Sequence, residues 1–257
     1  MTRAIFFDVD GTLISHTNNT VPESTRKALT MLADRGIKRI IATGRHMAEL
    51  SELPVNNINF DAYITLNGQL CLDSKGNIIF ENAIEGAEKD GIIKLFNDKS
   101  IPIMLVERDR MYINFLNQHV ELAQRAISTP TPNIGTYTGN EIYQAIAYLE
   151  IGSESALFHL LPNCKITRWN DYAVDIIASS GGKTSGIREY LKINHIELDE
   201  TMAFGDGEND IDMLKYVRLG VAMGNADTSV KANAKYITDS VDNDGIMNAL
   251  VSLNIIG

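Results

Sequence analysis

The chain has 257 residues, 44% hydrophobic and 22% charged, a balance that excludes wholesale disorder. Its 23 Lys and Arg against 33 Asp and Glu give a formal charge of −10. Such a surface repels nucleic-acid backbones and anionic membranes, since the densest cationic clusters, such as Lys38-Arg39, are short. Cys71 and Cys164, the two cysteines, cannot form a disulfide framework or a four-thiolate zinc site. No apolar run approaches the ~18 residues of a membrane span. The first residues reach Asp8 after four apolar positions, so no signal-peptide core is expected and the cytoplasm is the expected compartment.

From the start of the chain, short apolar runs alternate with amphipathic segments. Residues 4–7 predict a buried strand. Residues 23–35 predict a helix with Ala28, Leu29, Leu32 and Ala33 on one face and Gly36 ending it. A second strand follows at 39–42, a short helix at 47–53 stopped by Pro54, and a third strand at 63–66. Residues 69–72 and 77–81 flank Asp73-Ser74-Lys75-Gly76 as a hairpin. Beyond it, strands at 103–107, 111–115, 142–150, 165–169 and 173–177, with helices at 88–98, 118–126 and 154–161, predict an antiparallel α+β unit. The last quarter returns to alternation: helix 183–191, strand 202–204, helix 210–217, strand 219–223, helix 227–234, strand 236–237 and helix 246–253. The expected architecture is a doubly wound parallel-sheet, Rossmann-like α/β core from residues 1–81 and 182–257, with an inserted α/β unit at 82–181.

Chemistry-bearing residues fall at the strand ends, where a parallel sheet binds ligands. Asp8-Val9-Asp10-Gly11-Thr12 follows the first strand. Residues two apart face one side, so Asp8 and Asp10 can approach one substrate atom, and close carboxylates call for a cation or a shared proton. Gly11 and Thr12 suit a turn that offers backbone N–H groups to an anion. Phe204-Gly205-Asp206-Gly207-Glu208-Asn209-Asp210 follows a later strand with the hard oxygen ligands that magnesium takes. Thr43-Gly44-Arg45 brings a hydroxyl, a flexible glycine and a guanidinium suited to a phosphate oxygen. Gly181-Gly182-Lys183 places a lysine where the inserted unit rejoins the core. Taken singly, these segments also admit plainer readings as solvated acidic turns, a strand-to-helix turn with a surface arginine, and a glycine linker. Together they select phosphoryl transfer: attack on phosphorus by Asp8, proton transfer by Asp10, and charge stabilisation by Mg2+, Lys183, Thr43 and backbone N–H groups.

In order, Asp8 to Thr12, Thr43, Lys183 and Gly205 to Asp210 resemble the four motifs of the haloacid dehalogenase-like phosphatase superfamily. Ala42-Thr43-Gly44-Arg45 and Thr65-Leu66-Asn67-Gly68 are similar to its Cof-type (type IIB cap) branch of sugar-phosphate phosphatases, which insert an α/β cap between the second and third motifs. The resemblance implies Asp8 as nucleophile and metal ligand, and Asp10 as acid/base whose backbone carbonyl also meets the metal. It implies Asp206 as the third protein ligand and Asp210 holding a metal-bound water or its neighbours. Asn209 would orient Asp8 or the phosphate; Thr43 and Lys183 would bind the phosphoryl group, with Gly44 and Arg45 nearby. Asn67 is a possible contact near the cap opening. Thr184 departs from the glycine that many relatives carry after the lysine. Dehalogenase members lack the second aspartate and need no metal, so Asp10 aligns this chain with the phosphatases.

The expected enzyme is therefore a Mg2+-dependent phosphatase of small phosphorylated metabolites, most of all hexose or pentose phosphates, with no nucleic-acid or membrane partner, as a monomer or weak homo-oligomer. A phosphotransferase or phosphomutase using the same aspartyl phosphate and a non-catalytic Mg2+ or phosphate sensor are the alternatives; Asp10 argues against the sensor. Selectivity is expected in the inserted unit, where Glu107, Arg108, Trp169, Tyr172 and Asp175 could face a sugar but read more readily as surface or packing residues. The unit is expected to pivot about residues 81–83 and 179–182. His16, His46, His119, His159 and His195 show no paired metal spacing.

Overall fold

The computed structural model describes residues 1–127 and 129–257. The chain divides into two compact units, Met1–Glu81 with Gly182–Gly257, and Asn82–Gly181.

In the first unit, β1 (Ala4–Phe7), β2 (Lys38–Ala42), β3 (Ala62–Thr65), β4 (Leu70–Asp73) and β5 (Ile78–Glu81) are joined by α1 (Glu23–Asp34) and α2 (Met47–Leu50). The second unit holds α3 (Gly86–Asp98), β6 (Ile103–Val106), β7 (Met111–Ile113), α4 (Gln118–Ala126), β8 (Gln144–Tyr148), α5 (Ser155–Leu160), β9 (Cys164–Asn170) and β10 (Ala173–Ala178). The first unit resumes with α6 (Lys183–Ile193), β11 (Thr201–Gly205), α7 (Ile211–Tyr216), β12 (Leu219–Ala222), α8 (Thr228–Lys231), β13 (Tyr236–Ile237) and α9 (Gly245–Ser252).

Among the described residues the first unit forms an eight-stranded sheet in the order β13-β12-β11-β1-β2-β3-β4-β5. From β13 to β3 neighbouring strands run parallel. The hairpin β4-β5 adds antiparallel to β3, so the sheet is mixed at that edge. The period of two along β1 explains the two helical layers. Ile5 and Phe7 enter a core with Ala28, Leu29 and Leu32 of α1 and Ile246, Ala249 and Leu250 of α9. Ala4 and Phe6 enter the other core with Ile187 and Tyr190 of α6 and Met213 and Leu214 of α7. Phe7 stacks on Phe204 of β11 with ring centroids 5.4 Å apart, and Phe6 meets Tyr190 edge-on at 6.0 Å. Each such pair adds about 0.5–1.5 kcal/mol beyond its buried area.

Strand order reverses between β1 and β11, and ligand sites of open parallel sheets lie beyond the carboxyl ends at such a point. The register Phe7↔Phe204 brings the ends of these strands level. Asp8 extends the ladder, its N–H donating to the Phe204 carbonyl at 3.0 Å.

The second unit carries an antiparallel sheet in the order β7-β6-β8-β10-β9. Its core gathers Ile92 and Phe96 of α3, Leu105, Ala145, Val174 and Ile176. Helix ends differ modestly from the sequence reading. α2 closes at Leu50 and α8 spans Thr228–Lys231, each run giving way to turns.

Candidate active site

The loop after β1 is folded on itself: the Gly11 N–H donates to the Ile14 carbonyl at 2.8 Å, and the Leu13 and Ile14 N–H groups donate to the Val9 carbonyl. Gly11 sits at φ +75°, and a Cβ there would lie 2.1 Å from Asp206 Oδ2. Only glycine allows this left-handed turn with so close an approach. Thr12, fully buried, donates from Oγ1 to Asp206 Oδ1 at 2.9 Å. The two acidic segments are thereby tied although 194 residues separate the two groups.

Asp8, Asp206 and Asp210 each offer a carboxylate oxygen, and the three oxygens lie within 4.8 Å of one another. Lys183, the first residue of α6 and 1% exposed, donates from Nζ to Asp8 Oδ1 and to Asp210 Oδ1, both at 2.6 Å. One ammonium thus binds two of the three carboxylates directly. Burial first, then the charge of Asp210, pushes the Asp8 acid well above the usual carboxylate range, while Lys183 pulls against them. Burial and Asp210 likewise push Asp206 up to about 7, opposed by its hydrogen bond from Thr12. Burial works against the Lys183 ammonium, but Asp210 and Asp8 outweigh it and hold the proton more tightly than in water. The other Asp210 oxygen accepts the N–H groups of Asp206 at 3.0 Å and Gly207 at 2.9 Å. It therefore shapes the β11 loop as well as joining the cluster.

The Asp10 side chain is held by Arg45. Its two oxygens accept Arg45 Nε at 2.7 Å and Nη2 at 2.8 Å, the bidentate fork that fixes a carboxylate most firmly. Arg45 Nη1 lies 3.5 Å from Glu49 of α2, and Glu49 also accepts the His46 N–H at 2.8 Å. The cluster of side-chain oxygens is thus made with Asp210 where sequence order suggests Asp10; the expected contribution of Asp10 through its backbone carbonyl involves no side-chain oxygen.

Thr43, 1% exposed, accepts the Arg45 N–H on its Oγ1 at 3.2 Å, and its carbonyl accepts the Asn67 N–H at 3.0 Å. Leu66, Asn67 and Gly68 all have positive φ, a run that costs conformational energy at the first two positions and is found where surrounding structure enforces it. Asn67 Oδ1 accepts Asn209 Nδ2 at 3.1 Å. A Cβ on Gly44 would come within 3.1 Å of the Asn67 amide. The structure therefore brings Thr43, Gly44, Arg45, Asn67 and Asn209 into one contact chain. It brings Asp8, Gly11, Thr12, Lys183, Asp206 and Asp210 into another.

Two contributors escaped the sequence reading. Asn225, beyond β12, donates to Asp206 Oδ2 at 3.0 Å; Met223-Gly224-Asn225, a glycine turn at yet another strand end, was the available signal. Glu49, behind Arg45, had only its i,i+4 spacing to mark it.

In the second unit Glu107, 3% exposed, accepts Arg110 Nε and Asn140 Nδ2 at 2.7 Å and the Tyr112 hydroxyl at 2.5 Å. Its carboxylate braces the β6-β7 hairpin. Arg108 donates to the Tyr143 hydroxyl at 3.3 Å. Tyr172 stacks on His119 with centroids 5.5 Å apart. Trp169 and Asp175 are half-buried, and the Trp169 indole N–H has no partner among the described residues.

A mixed α/β sheet with acidic loops gathered at its switch point defines a class of hydrolase. Residues 5–250 match the haloacid dehalogenase-like hydrolase family, and the chain belongs to it. YkrA of Bacillus subtilis, provisionally named a phosphatase, is 30% identical over 99% of this chain and 98% of its own. The solved structure of BT4131, described as a subclass IIB sugar phosphatase of the superfamily, is 35% identical with a TM-score of 0.89, covering 99% and 100% of the two chains. BT1666 of Bacteroides thetaiotaomicron, described among the phosphatases of this superfamily, is 32% identical with a TM-score of 0.91, covering 100% and 96%. The Cof-type reading of the motifs agrees with these similarities, and the chain is an enzyme of the phosphatase kind within the family.

Proposed function

We propose that the enzyme is a Mg2+-dependent phosphomonoesterase acting on small phosphorylated metabolites, sugar phosphates foremost, through an aspartyl phosphate on Asp8. The observation that carries the reading is the cluster of Asp8, Asp206 and Asp210, two of which share the single ammonium of Lys183. Ionised together, three carboxylates would exceed one cation by two negative charges in a largely buried place, and a hard divalent ion with oxygen preference fits that donor set. Asp8 and Asp206 with the Asp10 backbone carbonyl would hold Mg2+, which supplies Lewis-acid stabilisation of the negative charge on the transferring group.

The chain's own residues provide the rest. An Asp8 carboxylate oxygen attacks phosphorus; the bond from phosphorus to the sugar oxygen breaks, and Asp10 gives that oxygen its proton. A water then attacks the phosphorus of the acyl phosphate, Asp10 takes the water's proton, and the bond to Asp8 breaks to release inorganic phosphate. The Arg45 fork holds Asp10 in place with one hydrogen bond on each oxygen, and the second lone pair of each oxygen remains free to carry a proton. Lys183, already on Asp8, limits the charge built up around the nucleophile. Thr43, Gly44 and Asn209 complete the phosphate-binding set, with Asn67 and Asp210 in support. The inserted unit, residues 82–181, is assigned the selection of the sugar. Similarity to the subclass IIB sugar phosphatase supports the substrate class.

Phosphate release from a panel of phosphorylated sugars, nucleotides and cofactors tests the reading. Turnover is expected with Mg2+ and sugar phosphates and none in excess chelator. Asp8→Asn is expected to lower kcat by at least about 10³-fold, because an amide is no nucleophile toward phosphorus. Unchanged hydrolysis by either preparation overturns the corresponding assignment.

A further inference from the structure

We infer that Asn225 is a positioning residue for the metal-binding carboxylate Asp206, acting from a loop that contributes no acid of its own to the cluster. The inference rests on the reading of Asp206 as a Mg2+ ligand. The Asn225 amide nitrogen donates to Asp206 Oδ2 at 3.0 Å and to the Gly11 carbonyl at 2.8 Å. Its amide oxygen accepts the Val241 N–H at 3.0 Å. One side chain thus joins the loops that follow β1, β11, β12 and β13, and does so at the point where Gly11 passes closest to Asp206.

The chemistry suits that place. Asp206 shares its surroundings with Asp8 and Asp210, and like charges would turn it away from the cluster unless donors fix both oxygens. Thr12 holds Oδ1; Asn225 holds Oδ2. Each carboxylate oxygen has two lone pairs, so a hydrogen bond on each leaves capacity for an ion. A lysine in the same place would add a positive charge that competes with a cation, whereas a neutral amide orients the carboxylate without that competition. Partners of this kind, one step removed from the metal, commonly account for 10–100-fold in affinity or activity. Asn225 is exposed, so its role is unlike that of the buried anchors of the fold, and its truncation is compatible with folding.

The test compares the full chain with Asn225→Ala and Asn225→Ser, the hydroxyl of Ser being too short to serve Gly11, Asp206 and Val241 together. Calorimetric titration of the metal-free proteins with Mg2+ alone is the primary readout. Dissociation constants about 10–100-fold weaker are expected. Turnover of the best sugar phosphate at limiting Mg2+ should fall in parallel, while KM at saturating Mg2+ stays within about threefold. Should the Ala variant fail to fold by circular dichroism, the Ser variant decides. A folded variant whose Mg2+ affinity stays within twofold of the parent overturns the inference, even when its Tm falls, since that result assigns Asn225 to loop stability alone. A parent that binds no Mg2+ instead removes the metal reading itself, so the two failures are distinct.

Discussion

Gly11 shows how a residue without a side chain sets the chemistry of its neighbours. Its positive φ costs an alanine roughly 1–2 kcal/mol, and the added Cβ would stand 2.1 Å from Asp206 Oδ2 and 2.7 Å from His16 Nε2. Gly11→Ala is therefore expected to push Asp206 off the Asp8–Asp210 cluster and to lower Mg2+ affinity by at least tenfold, with a modest fall in Tm; calorimetry with Mg2+ checks it, and unchanged affinity contradicts the close-approach argument. At this scale the residue types were legible in sequence, because acids, glycines and a lysine at strand ends have few other reasons to coincide. Which oxygen meets which donor was not. Asp8 and Asp10 share a strand parity, yet Arg45 takes both Asp10 oxygens and it is Asp210 that shares Lys183 with Asp8. Parity predicts the direction of a side chain along a strand but not in the turn that follows it. Asn225 was missed for a similar reason: an amide in a turn carries no signature until the turn's partners are known.

The elements bring these residues together by close packing. A Cβ on Gly186 of α6 would stand 2.5 Å from Ile64 Cγ2 of β3 and 3.4 Å from the Gly68 Cα, so α6 lies unusually near the sheet at the turn just after Lys183. Ile64 is fully buried and β-branched and has little freedom to move. Gly186→Ala should lift α6, cost about 1–3 kcal/mol of stability, and reduce kcat because Lys183 begins that helix; chemical denaturation and steady-state kinetics check both parts. A variant as stable and active as the parent would show that the helix has room to spare. Periodicity made the elements themselves readable. α1 and α4 match their expected spans within a residue, since long amphipathic or well-capped stretches bury one face along their length. The hairpin β4-β5 was legible as a hairpin but not as an antiparallel addition to the main sheet. Its pairing with β3 depends on the tight Leu66–Gly68 turn, whose left-handed residues include Leu66, a residue type that gives no hint of such a conformation.

For the whole molecule, the acidic cluster links pH to stability and, on the proposed reading, both to the metal. Asp206 moves from an ordinary value of 3.8 to about 7 on folding, through burial and the Asp210 charge. Below pH 3.8 both folded and unfolded chains carry this proton. Between there and about pH 7 only the folded chain holds it, so this group's contribution to metal-free stability falls as pH rises through that window. On the proposed reading Mg2+ binding would displace the proton, and a ligand of the folded state raises stability by mass action. The rise in Tm on adding Mg2+ should accordingly be larger at pH 8 than at pH 6. Scanning calorimetry at both values checks the sign, and an equal or reversed shift removes the linkage between Asp206 and the metal. The most direct measurement is to quench the enzyme during turnover of a sugar phosphate with Mg2+, reduce any acyl phosphate with borohydride, and map the products by mass spectrometry. The account predicts homoserine at position 8, dependent on substrate and Mg2+ and absent from Asp8→Asn. Phosphate release with Asp8 unmodified, or with the label on another carboxylate, would contradict it.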